Sequence, residues 1–222
     1  GSEIEACIAN LPKELTTLAE LEKASSILGG IMKSKQMPRE LADSICQAYR
    51  ELSEQLSIPN VAVAVRSSGV AEDMPGASFA GQYETYLNVK GEDEVVEAVK
   101  LCWASMFTSR GISYRLRHNL GILAGSVAVI VMKMVNARSA GVCFTADVAT
   151  GDRGKIVVDG NWGVGESVVQ GVVTPDHWVV DKERLRILEK VINRKERFHV
   201  LKETGTEERE VPLDRQAEPC LQ

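Results

Sequence analysis

Little in this 222-residue chain suits a membrane, a secreted scaffold or a common metal site. No apolar run approaches the roughly 20 residues that span a bilayer. The longest candidate, Val127-Ala128-Val129-Ile130-Val131-Met132, is cut by Lys133. No secretory signal is read at the amino terminus, where Gly1-Ser2 has the look of a cloning scar. The cysteines at 7, 46, 102, 143 and 220 are odd in number, far apart and without CxxC spacing. That pattern argues against a disulfide framework or a zinc site and fits reduced thiols in the cytoplasm. His118, His177 and His199 are equally scattered, with no HExxH pattern to hold a metal. A formal net charge of −5 argues against nucleic acid or an anionic membrane as partner. With 44% apolar and 26% charged residues, the composition is that of an ordinary soluble globular protein. The length allows one substantial core or two modest lobes.

Several catalytic signatures are also missing. Gly151-Asp152-Arg153-Gly154-Lys155-Ile156 resembles part of a Walker A loop but lacks its spacing and the Ser or Thr after lysine. Gly163-Val164-Gly165-Glu166-Ser167-Val168 has two of three Rossmann glycines and no convincing βαβ context. No G-x-S-x-G elbow supports a serine hydrolase. Neither an internal repeat nor a low-complexity tract is present.

What is there reads as helices first and strands later. Ile4, Ile8 and Leu11 start an apolar stripe, renewed by Leu15, Leu18 and Leu21 after Pro12. Gly29-Gly30 and the stretch 33–36 mark a turn. A helix begins at Pro38 and runs to about Leu56, with Leu41, Ile45, Ala48, Tyr49, Leu52 and Leu56 on one face. A strand over 61–65 ends on Arg66, Ser67 and Ser68, and 82–89 alternates like a second. A helix is expected over 92–110, continuing over 112–118. Further strands are expected over 127–135, 141–145, 155–159, 172–173 and 178–181, then a meander over 186–202. The tail from 203 to 222 reads as polar and exposed. The shift from helix-rich to strand-rich composition lies near Lys133, which suggests lobes over 1–132 and 133–222 with a ligand between them.

The most informative run lies from Val65 to Tyr83, Val-Arg-Ser-Ser-Gly-Val-Ala-Glu-Asp-Met-Pro-Gly-Ala-Ser-Phe-Ala-Gly-Gln-Tyr. A buried strand here delivers one cation, Arg66, and many backbone N–H groups into a loop poor in side chains, which suits phosphate oxygens. A Gly/Ser-rich surface connection is the plain alternative. A second cluster, Phe107-Thr108-Ser109-Arg110-Gly111-Ile112-Ser113-Tyr114-Arg115, puts two more arginines on a helix, where exposed surface charge is the alternative. Glu166 and Gln170 are four apart, on one face if their segment is helical.

These segments together resemble the ATP-binding domain of the phosphoenolpyruvate synthase and pyruvate phosphate dikinase family. The first run is similar to VRSSA-x-AED-x-P-x-ASFAGQ-x-(E/D)-T-(F/Y)-LNV through Val89, and the second to LFT-(D/E)-R-A-I-S-Y-R. Val131-Met132-Lys133-Met134-Val135 resembles V-Q-x-M-V, with Met132 in place of a glutamine. Residues 141–147 and 161–171 resemble SGV-x-FT-x-(D/N)P and WGLGE-x-VVQG, with Val148 in place of the proline. The resemblance runs from about residue 58 to 182.

It implies an α+β, ATP-grasp-like, two-lobed nucleotide-binding domain, present as a fragment. Arg66 and Arg110 would clamp phosphates, with Arg115 a further arginine of that cluster. Ser67, Ser68, Gly76, Ser78 and Gly81 would belong to the covering loop. Met134 and Val135 would seat the adenine, and Glu166 with Gln170 would reach the ribose or a metal-bound phosphate. ATP and Mg²⁺ are the implied cofactors. The implied reaction moves a phosphoryl group from ATP to a histidine on another domain, then to an acceptor. Pyruvate, the most common acceptor in the family, is the expected one, and the AED-x-P segment looks more like the synthase branch than the dikinase branch; phenylphosphate synthases and rifampin phosphotransferases, with phenol or rifamycin as acceptor, carry similar ATP domains. Partners would be the phosphohistidine and acceptor-binding domains of the same protein or complex. The family's G-G-K-x-x-x-L, L-Q-x-R-P and T-G-G-x-x-(S/C)-H segments are not found. The chain therefore reads as an excised portion, inactive alone, and a non-catalytic interaction lobe without nucleotide affinity is the reading of another class.

Overall fold

A strand with two unlike faces organises the first part of the molecule. In the computed structural model, which describes residues 2–10, 17–69, 83–118, 120–123 and 127–221, the chain divides into two units, Gly1–Met134 and Val135–Gln222. The architecture is mixed, with helices gathered in the first unit and several antiparallel sheets. In the first unit, β1 (Val63–Gly69) lies between β2 (Thr85–Val89) and β3 (Val127–Lys133) and is antiparallel to both. Side chains alternate across a strand. Val63 and Val65 therefore share one side, fully buried against Tyr49, Val95, Ala98, Val99 and Cys102. Those residues come from α3 (Arg39–Gln55) and α4 (Glu92–Ala104). Burying each valine contributes about 1.5–3 kcal/mol. The Tyr49 hydroxyl donates to the Val61 carbonyl at 2.9 Å and accepts the Gly91 N–H at 3.0 Å, so α3 is fastened to the chain entering β1 and to the chain leaving β2.

α1 (Ser2–Ala9) and α2 (Leu18–Ser34) complete the helical side. Thr17 and Glu20 close a reciprocal capping box at the start of α2, satisfying donors that the first turn leaves open. Leu21, Ala24 and Leu28 then pack with Phe107 and Ile112. Gly29 and Gly30 lie inside α2, not in the expected turn. Each costs about 1 kcal/mol relative to alanine in a helix, a penalty that packing of the adjacent Leu28 outweighs. The chain turns instead at Lys35 and Pro38, both extended.

β1 ends on Arg66, Ser67 and Ser68 as expected and runs one residue further, pairing Ser67 with Val129, Ser68 with Ala128 and Gly69 with Val127. One other expectation needs correcting here. The helix expected over 92–110 breaks at a short 3-10 turn, Ser105–Phe107. Thr108, extended at φ −63° and ψ 149°, then caps α5 (Ser109–Arg117) by accepting the Gly111 N–H at 3.1 Å.

The second unit carries a four-stranded antiparallel sheet in chain order: β4 (Ser139–Phe144), β5 (Lys155–Trp162), β6 (Asp176–Asp181) and β7 (Ile187–Val191). A hairpin of β8 (Arg197–Leu201) and β9 (Thr206–Glu210) follows. Residues 172–173 are not a strand. They follow α6 (Glu166–Val169), whose end is closed by Gly171 at φ +67° and by the Val172 N–H reaching the Ser167 carbonyl at 3.2 Å. Gly163 has φ +70°, and a Cβ there would overlap the His199 carbonyl, so glycine is what lets β5 leave the sheet beneath β8.

The tail is not simply exposed. Val211 and Cys220 are buried with Trp162 and Trp178, and Leu221 packs beside them. Asp176 draws the tail in: its Oδ1 accepts from Lys195 Nζ at 2.6 Å and the Asn193 N–H at 2.9 Å, and its Oδ2 accepts the Cys220 N–H at 2.8 Å. Both charged side chains are fully buried. Removing one partner of such a pair leaves an uncompensated charge and costs about 3–5 kcal/mol. Asp176→Ala is expected to destabilise the Val135–Gln222 unit by that amount, read as a fall in the urea midpoint of tryptophan fluorescence.

Candidate functional site

Arg66 is exposed on the side of β1 opposite Val63 and Val65. Across the sheet it stands between Thr85 of β2 and Ile130 of β3, and Ala64 pairs with Met132. Ile130 and Met132 are 43% and 47% exposed, so the cation rises from an open apolar shelf. Ser68 shares that side and is half-buried; Ser67 points the other way and is 6% exposed, among the core residues. Arg110 is exposed in the first turn of α5, just after the Thr108 cap. Gly76, Ser78 and Gly81 lie outside the described residues.

Met134 continues the β1–β3 pairing by donating its N–H to the Ala62 carbonyl at 2.8 Å. Val135 is 67% exposed, and its carbonyl accepts the Ala137 N–H at 3.0 Å. In the second unit Glu166 and Gln170 are brought together: Gln170 Nε2 donates to Glu166 Oε1 at 3.1 Å. The other carboxylate oxygen accepts from Thr206 Oγ1 at 2.5 Å, so Glu166 also ties α6 to the β8–β9 hairpin.

Two polar links were missed by sequence reasoning. Arg115 is fully buried, with Nη1 donating to the Met106 carbonyl at 2.6 Å and Nη2 to the Tyr83 hydroxyl at 2.9 Å. The signal was the four-residue step from Gly111, which puts both on the inner face of α5. His177 and Asp159 face each other across β6 and β5 with Nδ1 and Oδ1 2.7 Å apart. In a hydrogen bond to a carboxylate oxygen the ring nitrogen Nδ1 is the donor. Nothing in the sequence spacing announces that pair. Among the described residues no group of three or more His, Cys, Asp or Glu is placed to hold a metal ion, and no helix is long and apolar enough to cross a membrane.

An exposed arginine on an apolar sheet face and a second on a capped helix turn are groups that can grip an anion attached to an apolar ring system. That is the kind of surface a nucleotide-binding protein presents. The chain matches the family of the pyruvate phosphate dikinase AMP/ATP-binding domain over residues 2–222 and belongs to it. Among its relatives is the phosphoenolpyruvate synthase of Aeropyrum pernix, 50% identical over 178 residues, 80% of this chain and 22% of that protein. A probable phosphoenolpyruvate synthase of Staphylothermus marinus is 52% identical over 161 residues, 72% of this chain and 19% of that protein. One from Pyrococcus abyssi is 46% identical over 177 residues, 80% of this chain and 22% of that protein. The chain thus spans about a fifth of the length of these relatives.

All five cysteines are free, and two are chemically quiet. Burial, with Glu84 nearby, pushes the Cys102 thiol up to about 12; burial and a bond to Asp176 push Cys220 up to about 12. A raised folded value means that the folded state keeps these protons. The stability they contribute is full below about pH 9, the ordinary thiol value, and is lost as pH rises toward 12. At pH 8 iodoacetamide is expected to label exposed Cys143 and to spare Cys102 and Cys220 until urea unfolds the chain, as read by peptide mass spectrometry.

Proposed function

We propose that this chain is the nucleotide-binding part of a phosphoenolpyruvate synthase-like phosphotransferase, its two units serving as the lobes of an ATP-grasp-like fold. The observation that carries the reading is the exposed Arg66 set between Ile130 and Thr85, on a strand whose other face is entirely core. A cation displayed this way is poorly explained by packing and well explained by a phosphorylated ligand with an apolar base. Arg66 and Arg110 grip phosphate oxygens, and Ser68 stands beside Arg66. Ile130 and Met132 lie against the base. With the Met134 N–H given to Ala62 and the Val135 carbonyl to Ala137, the Met134 carbonyl and Val135 N–H are, among the described residues, the main-chain groups of this segment that could read the adenine edge.

Mg²⁺ accompanies ATP in such chemistry by neutralising phosphate charge. The described residues supply no cluster of ligands for it, so it would arrive with the nucleotide. Glu166, held in the second unit by Gln170 and Thr206, would have to give up one of them to take the ribose or metal-bound phosphate that the motif implies. The names of the relatives favour phosphoenolpyruvate synthesis. As the sequence motifs imply, the phosphoryl group would pass to a histidine on another domain and then to pyruvate. Those domains would lie in the remaining four fifths of a protein the size of the relatives.

Calorimetric titration of Mg-ATP into the full 222-residue chain tests this. Arg66→Ala is expected to weaken binding about ten-fold, or about 1.4 kcal/mol. Absence of binding by the unaltered chain would leave an interaction lobe as the better description, and binding of equal affinity in the variant would remove Arg66 from the site.

A further inference from the structure

The two arginines given to phosphate sit on different elements, and a buried polar node fastens those elements to each other. At its centre is Arg115, fully buried, its two guanidinium nitrogens divided between the Met106 carbonyl and the Tyr83 hydroxyl at 2.6 and 2.9 Å. The guanidinium also lies over the Tyr83 ring, 5.6 Å from its centroid. Met106 belongs to the corner between α4 and α5, where carbonyls lack helical partners and attract a cation. Tyr83 leads into β2.

The next residue is held from the same corner. The Glu84 N–H donates to Ser105 Oγ at 3.2 Å, and Ser105 Oγ donates in turn to the Cys102 carbonyl at 2.7 Å. The Cys102 thiol faces two carbonyls, Glu84 at 3.7 Å and Val65 at 3.5 Å. Val65 directly precedes Arg66. The node therefore reaches from the backbone beside Arg66, through the approach to β2, to the helix that carries Arg110.

α5 turns this into a lever with a fixed geometry. Arg115 lies five residue steps beyond Arg110 on the helix, about 7.5 Å along the axis and about 140° around it. One cation is thus anchored on the inner face while the other is displayed on the outer. We propose that Arg115 is a positioning residue: through Tyr83 and Met106 it sets the place of Arg110 relative to Arg66, and so the match between the two cations and a chain of phosphates. This rests on the nucleotide reading above. Arginine is needed because its planar fork reaches two partners at once, which a lysine ammonium on a flexible stem does not reproduce.

The test compares ATP with adenosine on the unaltered chain, Arg115→Lys and Tyr83→Phe. ATP affinity is measured by calorimetry, adenosine affinity by competition, and folding by thermal denaturation. Both variants are expected to lose about ten-fold in ATP affinity while holding adenosine as well as the unaltered chain does. The double variant is expected to lose less than the sum of the two single losses, since both break the bond between Arg115 and Tyr83. Equal loss of ATP and adenosine marks a general structural role and overturns the proposal, as does unchanged ATP affinity in a folded variant. Should Arg115→Lys fail to fold, Tyr83→Phe decides, because it removes only the hydroxyl. An unaltered chain that binds no ATP defeats the nucleotide reading itself; one that binds ATP with variants unaffected defeats only the role of Arg115.

Discussion

In β1 every second side chain must cross to the other face of the sheet, and most of the first unit follows from that constraint. Val63 and Val65 take the inner side and draw α3 and α4 onto it, with Val129 and Val131 of β3 brought alongside by register. Arg66 is then compelled to the outer side, where no energetic reason of packing requires a guanidinium. A shift of one residue would bury the cation unpaired and expose the valines, so the core enforces the display of the charge. The same register puts Ile130 beside it and Met132 beside Ala64. Stability and presentation of the candidate site are two results of one alternation.

The second unit depends on a different kind of constraint. Its sheet is joined to the tail by Asp176, which accepts three hydrogen bonds from Asn193, Lys195 and Cys220. Desolvating a carboxylate and an ammonium costs several kcal/mol each, and their attraction repays this only with well-satisfied partners. Here the Lys195 ammonium also donates to the Asn193 carbonyl at 2.8 Å. A well-packed apolar pair in the same space would match this arrangement in stability. What an apolar pair would lose is direction: the carboxylate dictates which backbone groups of the tail approach β6, and so where Cys220 and Leu221 meet Trp178.

Local signals carried the sequence a long way. Pro38 and the stripe from Leu41 to Leu56 announce α3, the apolar alternation announces β1 and β3, and the family motifs announce the family to which the chain belongs. The failures share a cause, which is that the deciding partner is distant. Gly29 and Gly30 stay helical because Leu28 meets a cluster including Phe107 and Ile112. The tail folds in because Asp176, 44 residues before Cys220, receives its backbone. Glu166 is engaged by Thr206, 40 residues on. Within the candidate site, residue types were legible, whereas the face each side chain takes was not. Ser67 and Ser68 are neighbours of one kind, and only pairing with Val129 and Ala128 assigns them to opposite sides.

The three arginines make the same point about function. Arg66, Arg110 and Arg115 are chemically identical and all fall within motifs of one family, so a motif cannot say which of them meets a ligand. Burial separates them. A guanidinium in the interior must direct its donors to protein acceptors, because leaving them unmade in a low dielectric costs more than any surface role returns. With Nη1 on the Met106 carbonyl and Nη2 on the Tyr83 hydroxyl, Arg115 is oriented by the fold, and on the proposed reading it would act on phosphate only through what it holds. Arg66 and Arg110 are exposed, where a guanidinium can meet an anion from solvent. On that reading an anchored cation and a displayed cation on one short helix would divide the work between precision and contact, the precision being only as good as the hydrogen bonds at the buried end.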